Sequence, residues 1–142
     1  MATKKGWIED NINACFNLSQ CYDYINDRQS MLKILLKSFE YDNPRAEICC
    51  QIGYYYFQDA NYEKAIFWYQ LATQIKKPEN SWGFISHDYF GYLPSIQLAV
   101  CYDKIGNLEE AIRCNDKAAE FKANDEAVNY NRRYFEKILE GK

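Results

Sequence analysis

The side chains able to carry out chemistry in this chain are few, and their spacing is poor for it. The one histidine, His87, stands beside Asp88, and six cysteines occupy positions 15, 21, 49, 50, 101 and 114. A His-Asp pair offers a proton acceptor and an orienting carboxylate, yet consecutive residues rarely face one pocket, and no third group at motif spacing completes a hydrolytic set. A Cys/His hydrolase is the weakest of the functional readings. The cysteines form no C-x-x-C pair, which removes the usual zinc signature and leaves reduced, buried thiols as the expectation. No Asp-x-Asp occurs; Glu40-Tyr41-Asp42 comes nearest. Gly6, Gly53, Gly83, Gly91, Gly106 and Gly141 are too scattered to form a phosphate cradle. The expectation is a chain with no catalytic residue, no metal and no cofactor.

Aromatic rings are the other conspicuous resource, at 17% of residues. They crowd into Gln51 to Ala72, QIGYYYFQDANYEKAIFWYQLA, which raises the choice between a ligand surface and a core. Burying one such ring removes roughly 150–250 Å² from water, so most of them belong inside. The chain has 142 residues, enough for one domain, with a net charge of −3 and a pI near 5.2. Such a balance lacks the basic field that nucleic acid or an anionic membrane selects. The N-terminus MATKKGWIEDNI has no apolar segment behind its lysines, and no apolar run reaches membrane-spanning length. A cytoplasmic protein is expected. Met1 to Lys5 reads as a start placed before a piece of something longer.

The elements that must hold these residues emerge from a repeat. Ser19, Tyr22 and Pro44 recur as Gly53, Tyr56 and Pro78, each 34 positions later. A further copy gives Ala99 and Tyr102, with 99 − 53 = 46, so twelve residues, NSWGFISHDYFG at 80–91, interrupt the period. Small residues at Gly53, Ala65, Ala99 and Ala111 allow helices to approach closely, while Tyr56, Tyr69 and Tyr102 fill the space beside them. Asn107 with Glu110 forms a capping-box pattern after Gly106, and Asn43-Pro44 reads as a cap before a first-turn proline. In the final segment, Val128, Phe135, Ile138 and Leu139 share one helical face.

This pattern resembles the tetratricopeptide repeat (TPR), whose period is 34 and whose signature is W-x₂-L-G-x₂-Y, A-x₃-F and P. The resemblance implies an all-α, TPR-type α-solenoid of three helix pairs plus a C-terminal capping helix. The repeats would be 12–45, 46–79 and 92–125, the insert 80–91 and the capping helix 126–140. In that family the first helix of each pair lines a concave groove. The register then places Asn13, Phe16, Gln20, Asp23 and Tyr24 there, with Glu47, Cys50, Tyr54, Phe57 and Gln58 following, then Leu93, Ile96, Val100, Asp103 and Lys104. The lysines, arginines and asparagines of carboxylate-clamp TPR proteins are replaced at Phe16, Cys50, Ile96, Gln20, Tyr54 and Val100, so no such clamp is expected. The candidate binding residues are Gln20, Asp23, Tyr24, Tyr54 and Phe57 from the groove, with Trp82, His87, Asp88 and Tyr89 from the insert. Two readings of the insert stand: it carries contacts, or it is an aromatic plug that seals the broken period.

A narrower resemblance covers about Ile34 to Phe135. The phrases RAEICCQIGYYYF, YEKAIFWYQLA, KKPENSWGF, HDY, LPSIQLAVCYDKIGNLEEAI and NYNRRYF are similar to the C-terminal TPR region of bacterial family-2 glycosyltransferases. That resemblance implies an accessory region without its catalytic domain, binding a protein or peptide acceptor in the groove or mediating self-association. A free-standing TPR adaptor is the alternative. Neither has nucleic acid or membrane as a partner.

Overall fold

The computed structural model describes residues 4–77 and 87–141. Among these, seven α-helices follow one another: α1 (Lys4–Tyr24), α2 (Arg28–Lys37), α3 (Ala46–Gln58), α4 (Tyr62–Gln74), α5 (Tyr92–Lys104), α6 (Leu108–Phe121) and α7 (Glu126–Glu140). Short 3₁₀ turns at Ser38–Glu40 and His87–Phe90 complete the described structure, and no strand occurs in it. Helices pair as α1 with α2, α3 with α4 and α5 with α6. Each pair stacks on the next through α2 against α3 and α4 against α5, and α7 packs on α6. This is the expected α-solenoid with a terminal cap. α1 starts two turns ahead of residue 12, where the repeat was expected to open.

The tight turns explain the period in backbone terms. Asn26, Ala60 and Gly106 all take positive φ and sit directly before an N-cap: Asp27, Asn61 and Asn107. Each cap side chain accepts a hydrogen bond from the backbone N–H three residues on, at 3.1, 3.4 and 3.2 Å. Asn124 and Asp125 repeat the arrangement ahead of α7. A left-handed residue reverses the chain and a capping oxygen restarts it, so a few residues suffice between antiparallel helices. The Asn43-Pro44 expectation fails. α3 begins at Ala46, with Arg45 in the cap position and no side-chain cap.

Packing inside each pair is set by one recurring quartet of buried positions. Ser19, Gly53 and Ala99 are equivalent by the spacings 34 and 46, as are Met31, Ala65 and Ala111; Leu35, Tyr69 and Asn115; and Ser38, Ala72 and Ala118. Side-chain volume is traded within it. A Cβ on Gly53 would stand 2.9 Å from the Tyr69 ring, so glycine is what lets a tyrosine lie across the pair. The third pair has Ala99 with the smaller Asn115. The Asn115 amide donates to the Val128 carbonyl at 3.1 Å, and its oxygen accepts from Asn131 at 3.0 Å, which ties α6 to the cap.

Other expectations meet mixed outcomes. Phe39 stacks on Trp68 at 6.0 Å between the first two pairs. Phe121 is half exposed, with its ring against Gly91. On α7, Val128 and Phe135 are buried but Leu139 points outward, because the inward stripe runs through Asn131 and Ile138 instead.

Candidate functional site

The first helices of the pairs lie side by side, α1 by α3 and α3 by α5, and the His87–Phe90 turn packs on α3, α4 and α5. The twelve-residue interruption therefore ends against the row of first helices. Its ring at Tyr89 meets Phe16 of α1 edge-on at 5.8 Å, and its backbone carbonyl faces the Cys50 thiol of α3 at 3.9 Å. Tyr89 thus meets α3 one turn nearer its start than Tyr54. Tyr54 is 37% exposed. Phe57 is half-buried, its ring edge-on to Tyr62 of α4 at 5.6 Å, so it contributes to the pair's interior. Trp82 lies outside the described residues.

Among the described residues His87 and Asp88 meet different lysines. Lys77 Nζ lies 2.8 Å from Nδ1 and 2.6 Å from Nε2 of His87, while Asp88 pairs with Lys122 at 2.9 Å. Lys122 also stands over the Tyr92 ring at 4.2 Å, and the Tyr92 hydroxyl donates to Asp125 at 2.5 Å. Burial first, then the Asp125 hydrogen bond, pushes the Tyr92 phenol up to about 12. This arrangement anchors the turn to the end of α6.

At the α1–α2 end, Tyr24 is 90% exposed, Gln20 is exposed, and Asp23 is half-buried. Asp23 accepts from Gln58 Nε2 at 3.2 Å, whose carbonyl oxygen accepts from Arg28 at 3.0 Å; Arg28 also reaches Asp59 at 2.7 Å and the Tyr55 carbonyl at 2.8 Å. Asp23 is accordingly one end of a network that joins the first two pairs. Arg28 attracted no notice in the sequence, since its partners are about thirty positions away.

The residue that sequence reasoning passed over most completely is Glu47. It was placed on the groove face by register and given no role. The residue is 2% exposed, and among the described residues neither carboxylate oxygen has a hydrogen bond to another residue. Burial pushes its carboxyl up, and its own backbone N–H and the Arg45 guanidinium only partly oppose that. Arg45 is committed elsewhere, to Glu9 at 2.6 Å and Asp42 at 2.9 Å. The one signal in the sequence is that Glu47 is the lone charge in the apolar run Ala46 to Cys50.

Five of the six thiols are chemically quiet, while Cys21 is exposed, contrary to the expectation of buried thiols. Cys15, Cys49, Cys50, Cys101 and Cys114 are buried and unbridged, and desolvation raises every one of them, Cys49 and Cys101 to about 12. A thiol held that high supplies almost no thiolate near neutrality. A second concavity of about 410 Å³ lies between α4 and α6, but its cations are matched: Arg113 pairs with Glu110 at 2.8 Å and Lys117 with Glu120 at 3.0 Å.

Residues 46–78 and 96–125 match the tetratricopeptide repeat family model. No curated protein matches the chain. Among solved structures, the chain is similar to one described as the crystal structure of MamA, with a TM-score of 0.65 and 18% identity over 96% of this chain and 87% of that one. At that identity the likeness establishes the fold. The described residues thus form a helical solenoid, two stretches of which match the tetratricopeptide repeat, and no described helix is long and apolar enough to cross a membrane.

Proposed function

We propose that this chain is a non-catalytic interaction module that binds an extended polypeptide along the face built by α1, α3 and α5. The observation that carries the reading is the convergence on that face of Phe16, Cys50 and Tyr89, delivered by three separate segments, beside the part-exposed Tyr54. Rings with one free face suit a peptide backbone and its apolar side chains, and a solenoid of stacked helix pairs offers an elongated surface on which to lay them. The raised thiols, and the separate engagement of His87 and Asp88, argue against chemistry by the groups that are present.

The resemblance of its phrases to the C-terminal region of family-2 glycosyltransferases favours an accessory, cytoplasmic role beside such an enzyme, with its acceptor polypeptide as occupant of the groove. A free-standing adaptor would use the same face for another polypeptide, and self-association would use it for a second copy. The reading is tested with twelve-residue peptides selected by phage display. Tyr54→Ala combined with Trp82→Ala is expected to weaken a selected peptide at least tenfold while the melting temperature moves little. A stable double variant that binds normally, or selection of peptides that bind only outside this face, would refute it. Concentration-dependent self-association abolished by the same substitutions would instead assign the groove to a second copy.

A further inference from the structure

Glu47 presents a problem that the fold does not solve. Among the described residues neither buried carboxylate oxygen has a hydrogen bond to another residue, whereas the buried amide of Asn115 and the buried hydroxyls of Ser19 and Ser38 all have partners. An orphaned buried carboxylate disfavours folding and is retained without structural reward. Around it stand Arg45 from the start of the same helix, Glu9 from α1, Cys49, and Cys50 with Tyr89 one turn further along the groove; these are the titratable groups whose fields reach it or are reached by it. Among them the only cation is Arg45, which is already held by two carboxylates.

We propose that Glu47 is the receptor for a cationic side chain, an arginine or lysine of the polypeptide bound in the groove. The inference rests on the reading of this face as a polypeptide site and names the chemistry that site selects. Phe16, Tyr89 and Cys50 form a soft apolar wall against which an aliphatic stem can lie, with ring faces favourable to a cation, and the charged head then meets the carboxylate that lacks a partner. A charge-assisted bond in a site shielded from water is strong, and a bidentate guanidinium satisfies both oxygens at once. Because Glu47 is 2% exposed, a guest reaches it only when the packing around it opens, so binding is coupled to a local rearrangement of this face.

The probe is the blocked tripeptide N-acetyl-glycyl-arginyl-glycinamide, compared with its citrulline counterpart, which has nearly the same shape and no charge. Titration into isotopically labelled protein, followed by the side-chain carboxyl resonance of Glu47 and the amides of Cys50 and Tyr89, should saturate for the arginine peptide. Binding should be at least tenfold weaker for citrulline, and at least tenfold weaker again when arginine meets Glu47→Gln. Equal binding of both peptides, a Glu47 resonance that does not move, or unchanged affinity in a folded Glu47→Gln protein would overturn the proposal. Should Glu47→Gln fail to fold, the arginine–citrulline contrast in the unaltered protein still decides. If display-selected peptides depend on Tyr54 but not on Glu47, the groove stands and this inference falls; if the arginine probe saturates at Glu47 while selected peptides ignore Tyr54, the groove reading falls instead.

Discussion

The two sides of α3 are built on opposite terms. Toward α4, Gly53 enters an interior in which it makes room for Tyr69, and among the described residues no buried side-chain polar atom there is left unsatisfied. Toward the inserted turn, the same helix buries Glu47 with both oxygens unpartnered and sets Cys50 against a backbone carbonyl. Local rules agree with one another on the first side and conflict on the second. Such conflicts are where function is to be sought, because a contact that does not help the fold needs another reason to persist.

The comparison breaks most visibly on its regular side. Ala65 is fully buried at the α3–α4 crossing, so Ala65→Arg both overfills the site and buries a charge; chemical denaturation should show a loss of about 3 kcal/mol or more. A variant as stable as the parent would mean that the crossing is not packed as described. Next in size, Gly53→Ala drives a methyl to within 2.9 Å of a buried ring that cannot swing away, with an expected loss of about 1–3 kcal/mol. Adding Tyr69→Leu, which imitates the combination of Ser19 with Leu35 in the first pair, should recover part of that loss. If the double variant is worse than the sum of the singles, volume exchange between these positions is not the rule.

On the irregular side the effect is smaller and lies in its pH dependence. Folding raises the Glu47 carboxyl above its ordinary value of 4.5, so the folded state holds a proton that the unfolded chain releases. Stability from this group is therefore undiminished below the unfolded value and declines as pH rises through the window up to the raised one. Asp42 and Asp125 shift the opposite way, the first chiefly through the Asn43 amide and the second through the Tyr92 hydroxyl. They favour stability above their unfolded values and lose it as pH falls. The quantity to compare is thus the difference between the unaltered protein and Glu47→Gln in urea titrations across pH 4 to 8. That difference should shift in favour of the glutamine variant as pH rises; a difference independent of pH would show that Glu47 does not titrate with folding.

What could be read in advance follows the same division. The 34-residue spacing was legible because each buried position in the quartet constrains its own residue locally, and Gly53, Ala65, Ala99 and Ala111 keep the small size that the crossing demands. The turns were legible only in part. Asn107 caps as expected, but the cap assigned to Asn43 was an error of local pattern, since nothing in those residues reveals that the helix starts beyond Arg45. Asn115 escaped because it replaces a large ring by hydrogen bonds to a different helix, and the pattern carries no information about partners sixteen positions away. Tyr89 was singled out, yet its neighbours were not, because the register of an insert against a groove depends on how the chain crosses between pairs. Glu47 was invisible for the strongest reason. A glutamate near the start of a helix looks favourable to the helix dipole, and only the tertiary structure shows that no water reaches it.

The most direct test of the central claim, that α3 packs with one side and binds with the other, is amide chemical-shift mapping of a display-selected peptide on the labelled protein. The account predicts saturable shifts at Phe16, Cys50, Tyr54 and Tyr89, with Phe67, which is 60% exposed on α4, unmoved. Shifts centred on Phe67 and the outer helices, with Cys50 and Tyr89 silent, would contradict it.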